Sequence, residues 1–569
     1  MMRPSLLIRQ LRIRPACSPR LFSVNRYSTA TSTAAAAQTP PTVPAGEKPY
    51  YITTPIFYVN AAPHVGHLYT MVLTDVLKRW QQLHGRPAKM CTGTDEHGMK
   101  IQQAAAAADM DPRTFCNTGA NSFKSLANLS QCSWDTFIRT TDKEHHDAVQ
   151  YFWQMLLQRD YIYAGKHEGW YSVGDETFYT EGGVEHTLDP ATGRKIVLSK
   201  ETGRVVEWTS ETNYHFRLSA MKEKLLEFYK ANPEFVVPAA RYADVVAAVE
   251  AGLDDLSVSR PRDRLTWGIP VPNDDTQTIY VWLDALVNYI TASGYPWTPG
   301  QERSGGWPAD LHVVGKDIVK FHAIYWPAFL LALDIPPPKQ VLTHAHWTMN
   351  RKKMSKSDGN VVNPFYAIQR YGVDSMRFYM ARDGGIHDDG DYSNEHIVER
   401  YRHELQFGLG NLTNRVCGVN FDLDLARAEA FTDVWTLSTR DQLMKALPTT
   451  TAIDVAEQMA ALDVPTAVKT IMSIIHETNK YIQHSAPWSL RKPEQKSEQN
   501  MVIFLSAECV RVAGIMLQPF MPDKAKAVLD QLNVAPEKRS FDFAAYGKDD
   551  SYGVGTKGKK GLIFPPLSE

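Results

Sequence analysis

Cysteine is scarce and never closely spaced: the chain holds six in 569 residues, with no Cys-x-x-Cys pair. That spacing excludes a disulfide scaffold and offers no zinc knuckle. No uninterrupted apolar run approaches the roughly 20 residues that span a bilayer, which predicts a soluble mature protein with no membrane partner. Net charge is also nearly absent, with 61 basic residues against 63 acidic. Bulk electrostatics therefore give no support for nucleic-acid binding, and any such role must rest on local patches. No internal repeat is visible. Acids are missing altogether from residues 1–46, where Glu47 is the first carboxylate.

What is present is ample apolar material, 43% hydrophobic with 11% aromatic, in a chain too long for one core. About three or four domains are expected. Residues 1–46 hold six arginines (Arg3, Arg9, Arg12, Arg14, Arg20, Arg26) and no lysine, among many Ser, Thr and Ala. Leu7 and Leu11 suit one amphipathic turn before Pro15. This is the composition of a mitochondrial transit peptide, and it predicts residence in the mitochondrial matrix. Without those arginines, 55 basic residues face 63 acidic and the balance falls to −8.

Tyr50 to Tyr58 reads as a buried, β-branched and aromatic strand. Asn60 to His67 follows as a turn, and Leu68 to Leu83 as a helix closed by Gly85. This strand, turn and helix would form the first unit of an open α/β sheet, whose ligands bind beyond the carboxyl ends of the strands. A second strand is expected at Ala88 to Thr92. Helical patterns follow over Lys100 to Asp109 and Phe115 to Leu129. From about Asp142 to Thr278 glycine turns, short strands and a helical stretch from Thr209 to Tyr229 read as an inserted module. The sheet is expected to resume at Thr278 to Asp284 and at Leu311 to Asp317, with a helix over Phe321 to Leu333. From His396 onward the pattern is helical: Ile397 to Val416, Ser438 to Leu447, Ile453 to Ala461, Pro465 to His484 and Met501 to Leu517. Pro448 separates the second from the third, and a bundle is expected.

Two stretches stand out chemically. Arg351-Lys352-Lys353-Met354-Ser355-Lys356-Ser357-Asp358-Gly359 is a strongly positive loop with small residues that would let it move. It is either a solvated basic turn or an arm that stabilises charge on a polyphosphate. His64-Val65-Gly66-His67 lies at a strand-to-helix turn, where Gly66 allows close backbone approach and the helix N-terminus favours phosphate. Histidines in turns are common, so neither stretch decides the matter alone.

Together, and in this order, they resemble the two signature motifs of class I aminoacyl-tRNA synthetases. The second motif matches at every position from Lys353 to Ser357, and the first departs only by Val65 for isoleucine. Thr54 to Asn60, Gly93 to Gly98, Trp267 to Pro272, Tyr280 to Ala285 and Gly315 to His322 narrow the resemblance to the methionyl-tRNA synthetase family, over about Tyr50 to Trp488. With the leader, the resemblance is to the organellar form.

The resemblance implies an α/β fold: a Rossmann-like parallel-sheet catalytic domain with an inserted connective module, followed by an all-α helical-bundle anticodon-binding domain. Expected divisions are the leader at 1–46, catalytic halves at 47–141 and 278–340, the module at 142–277, a loop and stem-contact region at 341–395, and the helical domain with its tail at 396–569. The implied substrates are L-methionine, ATP with Mg²⁺, and tRNA(Met). Carried over position by position, His64, His67, Lys353 and Lys356 are the catalytic donors. Those four with Gly66, Gly315 and Asp317 hold ATP. Ile56, Tyr58, Trp282, Ala285, Tyr289, Ile318 and His322 enclose methionine, and Asp95 holds its ammonium. Aromatic walls suit a polarisable thioether, and a hydrogen bond near the sulfur would reject aliphatic side chains. Asn411 and Arg415, four apart on one helix face, and Trp488, able to stack on an unstacked base, would read the anticodon.

Some residues depart from the family pattern. The module usually carries cysteine zinc knuckles, yet Gly169 to Glu176 has no cysteine. No structural zinc is expected, and packing with hydrogen bonds must hold that region. His344 and His346 lack a third ligand and read as structural. Arg351 stands where glycine is frequent. No appended dimerisation module is recognised, and a monomer is expected. Two other readings compete: a class I synthetase for another amino acid, and a catalytically idle relative that binds RNA.

Overall fold

Pro55 interrupts the first strand. Its ring nitrogen cannot donate to a ladder, so the Tyr50 to Tyr58 run splits into β1 (Tyr50–Thr53) and β2 (Phe57–Tyr58). Both pieces pair in parallel with the same neighbour, β3 (Ala88–Asp95). The remaining strands are β4 (Thr136–Arg139), β5 (Val236–Val237), β6 (Leu311–Gly315) and β7 (Val341–His344). Every pairing is parallel, in the order β5-β7-β6-β1-β3, with β4 on the far side of β3. The chain leaves β1 toward β3 and β4 and later returns on the other side through β6. The crevice at the carboxyl ends of β1 and β6 is therefore the topological switch point, where doubly wound sheets bind ligands. The structure is a computed structural model that describes residues 48–173, 177–190, 192–354, 359–432, 434–559 and 561–567. The expected leader, Lys356, and Gly174 to Glu176 lie outside the described residues.

Between β4 and β6 the chain forms a six-stranded antiparallel sheet. The expected helix from Thr209 is not there: Val205–Phe216 is a strand, registered from Glu207↔Tyr171 to Phe216↔Ile162, and the helical part is a 3₁₀ turn, Ser219–Met221, followed by the α-helix Lys222–Ala231. The Thr-rich run pairs along its whole length, and a long ladder outweighs a local helical spacing of apolar residues. The Arg260 guanidinium, 3% exposed, lies 4.6 Å from the Tyr280 ring centre and 5.1 Å from those of Tyr171 and Phe178. This tie holds the module's hairpin to the catalytic body, at about 2 kcal/mol for a desolvated cation–π contact.

Thr278 to Asp284 is also corrected. Asp274–Ile279 belongs to a separate three-stranded antiparallel sheet, and Tyr280 then starts a helix, Val281–Thr291. Nine of that helix's eleven residues are buried, so it shows no polar face and its apolar run is indistinguishable from a strand by periodicity.

The helical half begins with a continuous helix over 394–416, of which Tyr401–Gly410 is a π-helix. Pro448 does not divide its helix, which runs unbroken as Thr439–Ala460. The proline removes the donor for the Met444 carbonyl, and the Cys509 thiol approaches that carbonyl at 4.0 Å instead. Lys496–Leu517 is the central helix, buried throughout its apolar length. By length and composition the span Pro493–Leu517 is apolar enough to cross a membrane, but Glu498, Glu508 and Arg511 interrupt it, as expected of a chain without a long apolar run, and its apolar window is buried inside the protein. Its charged pair is satisfied internally, with Arg511 donating to Glu508 at 2.6 and 2.9 Å and to the Phe543 and Ala545 carbonyls at 2.7 Å.

Arg377 welds the sheet to the bundle. Fully buried, it donates to Asp75 at 2.6 Å, to Ser130 O at 3.0 Å and to Pro519 O at 2.8 Å. Those contacts join the helix after β2, the loop before β4 and the end of the central bundle helix.

Candidate active site

The helix Val65–Leu83 (α1) starts on a reciprocal capping box formed by two histidines. Gly66 N–H donates to His64 Nδ1 at 3.1 Å, and His64 N–H donates to His67 Nδ1 at 3.0 Å. Because both Nδ1 atoms accept, each neutral ring carries its proton on Nε2, a donor rather than a base. The rings stack with centroids 3.8 Å apart. His67 also packs edge-on against Phe57 and Phe123, at 5.3 and 5.0 Å. Burial, reinforced by His64, keeps the His67 imidazole well below its ordinary 6.5. A Cβ on Gly66 would lie 2.9 Å from His64 Cε1, so glycine leaves room for that ring.

The basic loop is brought to this turn. Val65 N–H donates to Val362 O at 3.2 Å, which fixes the chain just past the loop to the first residue of α1. On the near side, Trp347–Met349 and Lys352–Lys353 form a hairpin with Thr348 opposite Lys353. Its two-residue turn is Asn350-Arg351, with φ of 53° and 60°. Positive φ at both positions is what such a turn requires and is why glycine suits the second; Arg351 adopts it with a Cβ. Its N–H donates to Asp391 at 2.9 Å. Lys353 is exposed.

Beyond β6, Asp317 folds back so that its Oδ1 meets His346 Nε2 at 3.3 Å. A Cβ on Gly315 would sit 2.7 Å from the same oxygen. His346 N–H and Lys316 both bond Asp389, at 2.8 and 2.6 Å. His344 is buried, with Nε2 on Thr70 Oγ1 at 2.9 Å and Nδ1 on Ala345 O at 2.8 Å. Among the described residues no group of three His, Cys, Asp or Glu side chains is placed to hold a metal ion.

A second cluster lies beside the crevice. His322 Nδ1–H donates to Ile318 O at 2.9 Å, so its Nε2 accepts from the Tyr289 hydroxyl at 2.6 Å. Burial lowers His322 to about 4, which keeps it neutral. Both ring nitrogens and the phenol proton are thereby committed to each other and to backbone. In this arrangement neither side chain has a proton left to donate to a thioether. His322 sits on a π-helical turn, Phe321–Tyr325, and Trp282 stacks face to face on Phe321 with centroids 3.5 Å apart. Ala285 is buried one turn along from Trp282, while Ile56, Tyr58, Asp95 and Ile318 are partly exposed.

Sequence reasoning assigned no role to the residues that tie these walls together. Asp284, fully buried, accepts from His97 Nδ1 at 2.6 Å and His145 Nε2 at 2.8 Å. Burial alone would raise its carboxyl, but the two imidazoles override that and hold it at about 2. His97 stands two residues beyond Asp95, and Asp284 lies between Trp282 and Ala285, so the bond clamps the end of β3 to helix Val281–Thr291. Glu96, also fully buried, takes a bidentate bond from Arg139 at 2.6 and 2.9 Å. Both residues stood inside quoted motifs; the signal was a carboxylate among apolar neighbours, which needs a buried partner.

In the helical half, Asn411, Arg415 and Trp488 are all exposed, Trp488 at 38%. Asn414 turns inward, holding Gly561 and Gln531. Trp488 follows Ala486, which caps its helix in the left-handed region at φ 42°, and Gln499 pins the loop through Pro487 O at 2.7 Å.

A parallel sheet with a histidine-capped helix and a basic hairpin meeting at its switch point defines a class I tRNA synthetase. The family described as "tRNA synthetases class I (M)" matches residues 50–417, and "Anticodon binding domain of methionyl tRNA ligase" matches residues 435–549. A probable mitochondrial methionine–tRNA ligase of Neurospora crassa is 51% identical over 95% of this chain and 88% of its own. The mitochondrial methionine–tRNA ligase of Xenopus laevis is 41% identical over 92% and 93%. The Mycobacterium tuberculosis methionyl-tRNA synthetase in complex with methionyl-adenylate superposes with a TM-score of 0.83 at 37% identity, covering 91% of this chain and all of that one. The chain belongs to the methionyl-tRNA synthetase family.

Proposed function

We propose that this chain is the methionine–tRNA ligase of the mitochondrial matrix, forming methionyl-adenylate from L-methionine and MgATP and passing the methionyl group to tRNA(Met). The observation that carries the reading is the Val65–Val362 hydrogen bond, which holds the histidine turn and the basic loop against one crevice. In the first step the methionine carboxylate attacks the α-phosphate in line and pyrophosphate leaves. A carboxylate is already ionised at pH 7, so no general base is required; positioning and charge stabilisation are. The Nε2–H groups of His64 and His67 donate to phosphate oxygens. Lys353, with Lys356 from the part of the loop outside the described residues, neutralises the β- and γ-phosphates beside Mg²⁺. Asp317 takes the ribose hydroxyls, with Gly315 and Gly66 admitting the nucleotide. Asp95 holds the ammonium, and Ile56, Tyr58, Trp282, Ala285, Tyr289, Ile318 and His322 enclose the side chain. In the second step a terminal ribose hydroxyl of the tRNA attacks the activated carbonyl and AMP leaves. Asn411, Arg415 and Trp488 read the anticodon.

The relatives' mitochondrial names and the arginine-rich, acid-free residues 1–46 support the location. ATP–pyrophosphate exchange across a panel of amino acids tests the chemistry. Methionine is expected to drive exchange; exchange driven by another amino acid and not by methionine overturns the substrate, and exchange with none favours an RNA-binding relative.

A further inference from the structure

The π-helix Tyr401–Gly410 is the longest departure from α geometry in the described residues, and such segments are frequent at functional sites. Two glycines permit it: a Cβ on Gly408 would lie 3.0 Å from the His403 carbonyl, and one on Gly410 3.1 Å from Phe564. Asn479, on the helix Val464–Ser485, donates to the Gly408 carbonyl at 3.3 Å and so ties the two helices together. Between them runs a groove of about 420 Å³. Phe407 stands in it 53% exposed, and the His403 ring meets its edge at 6.4 Å.

His403, Phe407 and Arg415 line one wall of the groove. The opposite wall supplies His476 and Lys480. The rim is thus positive, with imidazole donors beside two permanent cations. Of the acids at this rim, Glu404 is already engaged by Arg382 at 2.8 Å. Lys480 meets Glu477 at 2.8 Å in a pair more than half exposed at the lysine, which is weak enough to exchange for a phosphate. An exposed aromatic face inside a cationic groove is how single-stranded nucleic acid is held without base-specific hydrogen bonds.

We propose that this groove is a second base-stacking site, in which an unstacked nucleobase of the tRNA anticodon loop lies on Phe407 and its flanking phosphates meet Arg415, Lys480, His403 and His476. The proposal rests on the anticodon reading of Arg415 and Trp488 and adds a platform two helical turns before Arg415.

The test uses the full chain and tRNA(Met) transcripts carrying 2-aminopurine at each anticodon-loop position in turn. Stacking on Phe407 should quench one position. Phe407→Ala and Phe407→Leu, which keeps bulk but no aromatic face, should both abolish that quench and raise the charging KM for tRNA about 10-fold, while Phe407→Trp restores both. ATP–pyrophosphate exchange should be unchanged in all three. If Phe407→Ala and Phe407→Leu charge with wild-type KM and quench while Arg415→Ala does not, the platform is refuted and the anticodon reading stands. If Arg415→Ala and Trp488→Ala are silent as well, both are refuted.

Discussion

Val65 donates its backbone N–H to the carbonyl of Val362 at 3.2 Å. One residue begins the histidine-capped helix and the other lies just past the basic loop. Any movement of the loop's far end is therefore felt at the helix start, where the His64 and His67 Nε2–H donors sit. If the two signatures act on one ATP, as proposed, their contributions to its developing charge should depend on each other.

Tyr289→Phe removes the donor to His322 Nε2, the only one among the described residues, in a fully buried spot. An unmet buried acceptor costs about 1–3 kcal/mol. In exchange kinetics the KM for methionine is expected to rise about 10-fold with the KM for ATP unchanged. Equal rises in both would place the pair outside the methionine pocket.

Arg351 holds φ at 60° in the turn that presents Lys353. Left-handed backbone costs a residue with a Cβ about 1–2 kcal/mol, so Arg351→Gly should stabilise the hairpin by about 1 kcal/mol. Hydrogen exchange at Thr348 to Lys353 should slow by several fold. Faster exchange would show that the arginine's own contacts outweigh the strain.

Acid should weaken the fold below pH 6.5 through its buried histidines, with Asp374, raised by burial to about 6, acting in the opposite direction. Burial lowers His322 and His344 each to about 4, from 6.5 when unfolded. Above pH 6.5 both states are neutral and nothing is lost. Between 6.5 and 4 the unfolded chain binds protons the folded chain refuses, so stability falls as pH falls, by up to about 1.4 kcal/mol per unit for each histidine. His67 and His312, also lowered, act with the same sign. Urea midpoints should decline from pH 7 to pH 5, and His344→Gln should flatten that slope. A midpoint unchanged over this window would contradict the assignment.

The first strand, the histidine turn and α1 were legible because a β-branched run, a glycine turn and an amphipathic helix each carry their own local signal. Three elements were not. Thr209 to Phe216 becomes a strand only because Ile162 to Tyr171 lies beside it. Val281–Thr291 is buried on all sides and shows no periodicity. Pro448 lies inside an unbroken helix, with the Cys509 thiol of another helix 4.0 Å from the Met444 carbonyl four residues before it. The site divides in the same way. Residues proposed to face the ligands stood out by type, whereas Asp284 reveals its work only through His97 and His145, which the fold brings to it.

The central claim is that the histidine turn and the basic loop act on one triphosphate. A double-mutant cycle with His67→Ala and Lys353→Ala, read as the single-turnover rate of methionyl-adenylate formation, measures this directly. Each single change should slow the step by about 10²–10³, and the double mutant should be at least about 10-fold faster than the product of the single effects predicts, a coupling of about 1.4 kcal/mol or more. Strictly multiplicative losses would show that the two elements act independently and contradict the account.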